Sequence, residues 1–189
     1  MKKIFCFILL AVMCFCAVSC GNSSDVEIPD GMKLISEDDD LYYMFVPQTW
    51  TEDKGYGTPY AYYSGSDTSN VTVMFYLLEE TNVEKDETAV NPREPYIKAY
   101  WAEFEADVKN GFLAYDLIDE ECKDCTIDGV YAKQYVYTVK TASEEEYKCR
   151  AVATYYGQMV FCITYTAEIS KYDSHTADVD KIITEFKFK

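Results

Sequence analysis

Eight cysteines, one histidine and 33 acidic residues are the side chains of this sequence that could do chemistry. Cys122-Lys123-Asp124-Cys125 has dithiol spacing. A thioredoxin-like pair joins a strand to a helix, whereas this one precedes Cys125-Thr126-Ile127, which reads as a strand. A local disulfide or two free thiols is expected, with a thiol/disulfide redox role for Cys122 and Cys125 as the alternative. Zinc is disfavoured because the other two cysteines of the domain, Cys149 and Cys162, do not form a second C-x-x-C. A hairpin turning on Tyr156-Gly157 would set Cys149 opposite Thr164 and Cys162 opposite Ala151. The two sulfurs would then share a face on a diagonal of roughly 7–8 Å between Cα atoms. That exceeds a comfortable disulfide span, so both are expected as packing thiols.

His175 is the sole histidine, placed on a polar stretch of a second helix. There is no G-x-S-x-G, no H-E-x-x-H and no glycine-rich phosphate loop. No catalytic residue is assigned, no cofactor is implied, and an enzyme is not the expectation. Oxygen ligands in loops suit calcium. The candidates are 37–40, Asp67 with Asn70, and Asp119, Glu120 and Glu121 with Asp124. None follows the D-x-[DN]-x-[DN]-G order, so solvated turns are expected, and a calcium-linked module stays an alternative.

The chemistry best marked in the sequence lies at Cys20. Lys2 and Lys3 precede an uncharged apolar run, 4–18, that ends in Ala17-Val18-Ser19-Cys20-Gly21-Asn22. Charge, apolar segment and small residues form a secretory signal, and the cysteine makes it resemble a bacterial lipobox cleaved before Cys20. The run is shorter than the ~20 residues that span a bilayer. The resemblance implies a diacylglycerol on the Cys20 sulfur, and two chains anchor stably where one binds marginally. The bilayer is thus the first partner expected, on the extracytoplasmic side.

Positioning follows from that reading. Residues 1–19 are the signal, 20–31 the acylated cysteine and a flexible tether, and 32–189 one domain. The tether is small and polar, and eleven extended residues reach at most about 35–40 Å. Residues are 49% hydrophobic and 16% aromatic, enough for a globular core. The charge is −16, and loss of Lys2 and Lys3 would make it −18. Such a field excludes a nucleic-acid partner and leaves a protein or small molecule.

Strands are read at 32–36, 41–46, 60–63 and 71–78, with turns at 37–40, 54–59 and 64–70 and an exposed loop at 79–91. Ile97, Tyr100, Trp101, Phe104 and Val108 recur at helical spacing within 92–110. Asn91-Pro92 would start that helix and Gly111 would end it in a left-handed conformation. Four strands follow: 112–119, 130–140 after an Asp128-Gly129 turn, 147–155 and 158–166. A second helix covers 170–186. Trp50 falls in a loop, and most tyrosines are expected in the core or on the sheet. The fold class is α+β: a predominantly antiparallel sheet covered by two main helices. Runs apolar on both sides, 41–46 and 71–78, suit a sheet covered on both faces.

Several segments carry a resemblance. The lipobox, then Tyr43-Met44-Phe45-Val46-Pro47 with Trp50, Ser69-Asn70-Val71-Thr72-Val73, Ile127-Asp128-Gly129 and Tyr147-Lys148-Cys149-Arg150 resemble PsbP-like domains. So do Cys162-Ile163-Thr164-Tyr165-Thr166-Ala167, Asp180-Lys181-Ile182-Ile183 and Phe186-Lys187-Phe188. The resemblance is to lipoproteins of Gram-positive, clostridial type and spans 32–189. It implies an α/β/α sandwich and a membrane-anchored, non-catalytic binding or accessory module. The plant members assist calcium and chloride retention in photosystem II, and no calcium loop of this sequence matches them residue by residue.

Overall fold

The computed structural model describes residues 26–53, 60–78, 83, 86 and 88–189. The leader with Cys20, the tether up to residue 25, the 54–59 turn and most of the 79–91 loop lie outside the described residues.

The scaffold is an antiparallel sheet of eight strands. They are β4 (Thr51–Asp53), β5 (Tyr60–Ser64), β6 (Asp67–Leu77), β7 (Ala114–Leu117), β8 (Lys123–Ile127), β9 (Val130–Lys140), β10 (Glu146–Tyr156) and β11 (Met159–Glu168). Their spatial order is β4-β5-β6-β11-β10-β9-β7, with β8 beside β7 on the same edge of β9. Short strands flank the sheet: β1 (Met32–Leu34) pairs with β3 (Phe45–Pro47), and β2 (Tyr42–Tyr43) with β12 (Lys187–Phe188).

Side chains alternate across a strand, so each long strand feeds two cores. On one face Cys149, Ala151, Ala153 and Cys162 are small, which lets α1 (Glu94–Gly111) come close with Ile97, Tyr100 and Trp101. Trp101 lies flat on Tyr135, centroids 3.8 Å apart. On the other face Val71, Val73, Val152, Phe161, Ile163 and Tyr165 meet α2 (Thr176–Glu185) and the N-terminal strands through Val179, Ile182, Phe45, Val46 and Trp50. The three-layer α+β architecture expected from the sequence is therefore present.

Several boundaries differ for local reasons. The 41–46 run is two strands. It breaks at Met44, whose C=O accepts from Ile35 N (2.9 Å) and whose N–H donates to the buried Ser36 hydroxyl (3.0 Å). The polar residues 67–70 belong to β6 and not to a turn, because the hairpin closes on Ser64 and Asp67. Residues 51–53, expected as loop, form the outer strand β4. Helix α1 begins at Glu94 and not at Pro92, with Asn91 O accepting Glu94 N and Asn91 Oδ1 accepting Arg93 N one step earlier. Gly111 is not left-handed; the chain leaves α1 through an extended Phe112. The second helix is a 3-10 turn, Tyr172–His175, followed by α2.

The β10–β11 hairpin turns on Gly157 (φ 57°) and Gln158 (φ 69°), one residue later than Tyr156-Gly157. Two left-handed central residues are the hairpin turn whose twist matches the strands. The one-residue move slides the register by two, which keeps every side chain on its face. Cys149 therefore opposes Thr166, and Cys162 opposes Ala153. The two thiols are four residues out of register instead of diagonal neighbours.

Candidate functional site

Of the residues that the sequence singles out, His175, Asp67 and Trp50 come together, whereas the cysteines and the other acidic residues do not. Cys122 and Cys125 are free. An odd separation in extended chain puts side chains on opposite faces. Cys122 accordingly packs with the α1-side core and Cys125 with the α2-side core. Of the two arrangements expected, a local disulfide or two free thiols, the structure has the thiols unbonded and facing different layers. Cys149 and Cys162 are free and buried, and burial pushes both thiols above their ordinary pKa.

The acidic candidates are also dispersed. Glu121 binds Lys148 (2.6 Å) and Asp124 binds Lys133 (3.3 Å), so lysines of β10 and β9 take the charge that a cation would need. Asp119 and Glu120 lie in the 3-10 turn Asp119–Glu121, which has no buried residue. In the 37–40 turn, Asp40 Oδ2 accepts from Glu37 N, and Lys189 Nζ donates to the carbonyls of Glu37 and Asp38. Among the described residues, no three His, Cys, Asp or Glu side chains are placed to hold a metal.

His175 is buried although its neighbours along the chain are polar. Its Nε2 lies 3.0 Å from Asp67 Oδ2, and its ring lies 4.1 Å from that of Tyr63 and 5.9 Å from that of Trp50. Ser69 donates to Asp67 through both N–H (3.1 Å) and hydroxyl (2.7 Å). Partial burial alone would raise the Asp67 carboxyl. The bonds from His175 and Ser69, with the charge of Lys171, outweigh it and hold the pKa at about 2. Trp50 Nε1 donates to Asp178 Oδ2 (2.9 Å) in the first turn of α2, and Tyr165 donates to Tyr172 O (2.9 Å). This knot ties the start of α2 to the β5–β6 hairpin. It leaves the sole imidazole bonded to a carboxylate and shielded by rings, and among the described residues no serine or cysteine is bonded to it.

Contact surface is what remains. β6 is buried at Val71 and Val73, then exposed at four consecutive residues: Met74 (40%), Phe75 (45%), Tyr76 (44%) and Leu77 (69%). On the α2 side Phe75 and Leu77 continue into Phe161, Met159 and Phe188, with Tyr156 stacked on Phe188 at 4.2 Å. On the α1 side Tyr76 meets Tyr100 (5.5 Å), which meets Phe104 (5.8 Å). The sequence shows 71–78 as uniformly apolar, which reads as burial on both faces. The structure corrects this: Met74 to Leu77 are exposed, and among the described residues β5 pairs with β6 no further than Thr72. A second concavity, of about 330 Å³, lies between Glu145, Glu146, Tyr147, Glu168 and Ile169 at the opposite end of the sheet.

No family model matches this chain, and no curated protein matches its sequence. Its fold is similar to the solution structure of cyanobacterial PsbP (CyanoP) from Synechocystis sp. PCC 6803. The TM-score is 0.59 at 16% identity, covering 90% of this chain and 99% of that one. It is similar to a crystal structure from Bacteroides thetaiotaomicron, at TM-score 0.54 and 15% identity, covering 85% of this chain and 49% of that one. It is also similar to the Ran-binding protein Mog1p of Saccharomyces cerevisiae, at TM-score 0.52 and 9% identity, covering 83% and 95%. At these identities the likeness establishes the fold, a PsbP-like α+β architecture.

Proposed function

We propose that this chain is an extracytoplasmic bacterial lipoprotein of Gram-positive, clostridial type. Its PsbP-like domain acts as a non-catalytic binding or accessory module held at the membrane by acylated Cys20. The leader supports the location: two lysines, an uncharged apolar run and Ala17-Val18-Ser19-Cys20. Eleven residues of tether keep the domain within about 40 Å of the bilayer. The observation that carries the binding role is the exposed apolar stretch of β6 in a domain whose His175, Glu121 and Asp124 are already bonded within the fold. Soluble chains keep such patches small, and continuous ones mark contact sites. The yeast neighbour is named a Ran-binding protein, so this architecture can serve as a binding module. No helix among the described residues is long and apolar enough to cross a membrane.

The test is cross-linking on intact cells with the chain labelled at a surface lysine away from β6, such as Lys98, which is exposed on α1. A single partner recovered in stoichiometric amount is the result expected. Recovery of the chain alone under conditions that cross-link a known membrane complex contradicts the module reading.

A further inference from the structure

Among the described residues, the exposed end of β6 is an unpaired sheet edge as well as an apolar surface. Leu78 N donates to Gln158 O (3.3 Å), directly across the β6–β11 register. In an antiparallel ladder the bonded residues alternate. Thr72, Met74 and Tyr76 therefore exchange bonds with β11, and Val73, Phe75 and Leu77 turn N–H and C=O away from it. No described strand pairs with that side beyond Thr72.

Folded proteins guard such edges with charge, proline or brevity. The other edges of this sheet follow that rule. β4 is three residues, two of them Glu52 and Asp53, and β7 is four residues with Asp116. The 71–78 stretch, Val-Thr-Val-Met-Phe-Tyr-Leu-Leu, has neither charge nor proline and consists largely of β-branched and aromatic residues.

We propose that residues 73–77 of β6 take up an extended segment of a partner protein as an added antiparallel strand, apolar at alternate positions and flanked by lysine or arginine. The backbone row fixes an extended main chain, because only a strand matches its repeat. The rings fix the side chains. One set of alternate residues meets Phe75, Leu77 and Phe188, and the other meets Met74, Tyr76 and Tyr100. The net charge of −16 fixes the sign of the flanks, and Asp107 contributes locally by acting on the Tyr76 hydroxyl. A second copy carries the same negative charge, which disfavours it as the occupant. The proposal rests on the module reading and names its surface.

The probe is a synthetic peptide, Lys-Lys-Val-Thr-Ile-Thr-Val-Lys-Lys, titrated into the full chain kept soluble with mild detergent and read by amide hydrogen exchange. Saturable binding that slows exchange at Phe75 and Leu77 is the result expected. Leu77→Pro removes one outward N–H without touching the β11 ladder, and it should weaken binding at least tenfold. Leu77→Lys, which keeps the backbone intact, guards the edge by charge and should do the same. The same peptide with glutamate flanks should bind at least tenfold more weakly. The idea is overturned by no binding at millimolar peptide, by protection confined to other strands, or by unchanged affinity in both variants. It is also overturned by a dimer of the free chain that Leu77→Lys dissociates, since that assigns the edge to a second copy. The titration reads the edge alone and the cell cross-linking reads the module alone, so the two can fail separately.

Discussion

His175 Nε2 and Asp67 Oδ2 are 3.0 Å apart across 108 residues of sequence, joining the turn before α2 to the β5–β6 hairpin. The carboxylate is also held by Ser69, so the pair is a fixed support for the last helix.

Breaking that support should cost stability. A bond to a charged group contributes about 1.5–3 kcal/mol. Asp67→Asn and His175→Ala should each lower urea-unfolding stability within that range, and the double variant should cost less than their sum. The pH dependence follows from the carboxyl, whose folded pKa of about 2 lies below its ordinary value of 3.8. The stabilisation is full above about pH 4 and is lost as pH falls towards 2. Asp67→Asn should flatten that acid limb; an unchanged acid limb would show that Asp67 does not carry it.

The α1 layer rests on Trp101 lying against Tyr135. Trp101→Ala should cost about 3–5 kcal/mol in chemical denaturation. Ala151→Leu fills the space that lets α1 approach and should cost about 1–3 kcal/mol by overpacking. A near-neutral result for both would contradict the tight helix–sheet contact.

The hairpin register can be read from one turn residue. Gln158 is left-handed at φ 69°, a conformation that glycine adopts without strain. Gln158→Gly should raise stability by roughly 0.5 kcal/mol, the relieved strain exceeding glycine's entropic penalty. Were the turn on Tyr156-Gly157, Gln158 would be a strand residue and the same change would destabilise.

Thiol mapping separates the buried cysteines from the half-buried ones. Alkylation of the native chain without reductant, followed by mass spectrometry, should find Cys149 and Cys162 protected. After unfolding, Cys122, Cys125, Cys149 and Cys162 should all react as free thiols. A Cys122–Cys125 disulfide in the native protein would contradict their placement on opposite faces.

The sequence carried the parts of the fold set by periodicity. The 130–140 strand and the Asp128-Gly129 turn stand where alternation and turn chemistry put them, with Asp128 and Gly129 both left-handed. The small face of Cys149, Ala151 and Ala153 does lie under α1. What escaped was set by distant partners. Asp67 and Ser69 are polar and look like turn residues, yet Asp67 serves a histidine at the other end of the chain. Exposure of Met74 to Leu77 is set by what lies beside β6, and nothing within 71–78 records that. Cys122 and Cys125 have redox spacing in one dimension, and only the extended backbone divides them between faces.

The proposed anchor is acylated Cys20, holding a binding domain at the membrane. Metabolic labelling of the native host with a palmitate analogue, followed by detergent phase partition, tests it most directly. The wild-type chain should take up label and enter the detergent phase, and Cys20→Ala should lose both. An unlabelled wild-type chain in the aqueous phase, or label that persists in Cys20→Ala, would contradict it.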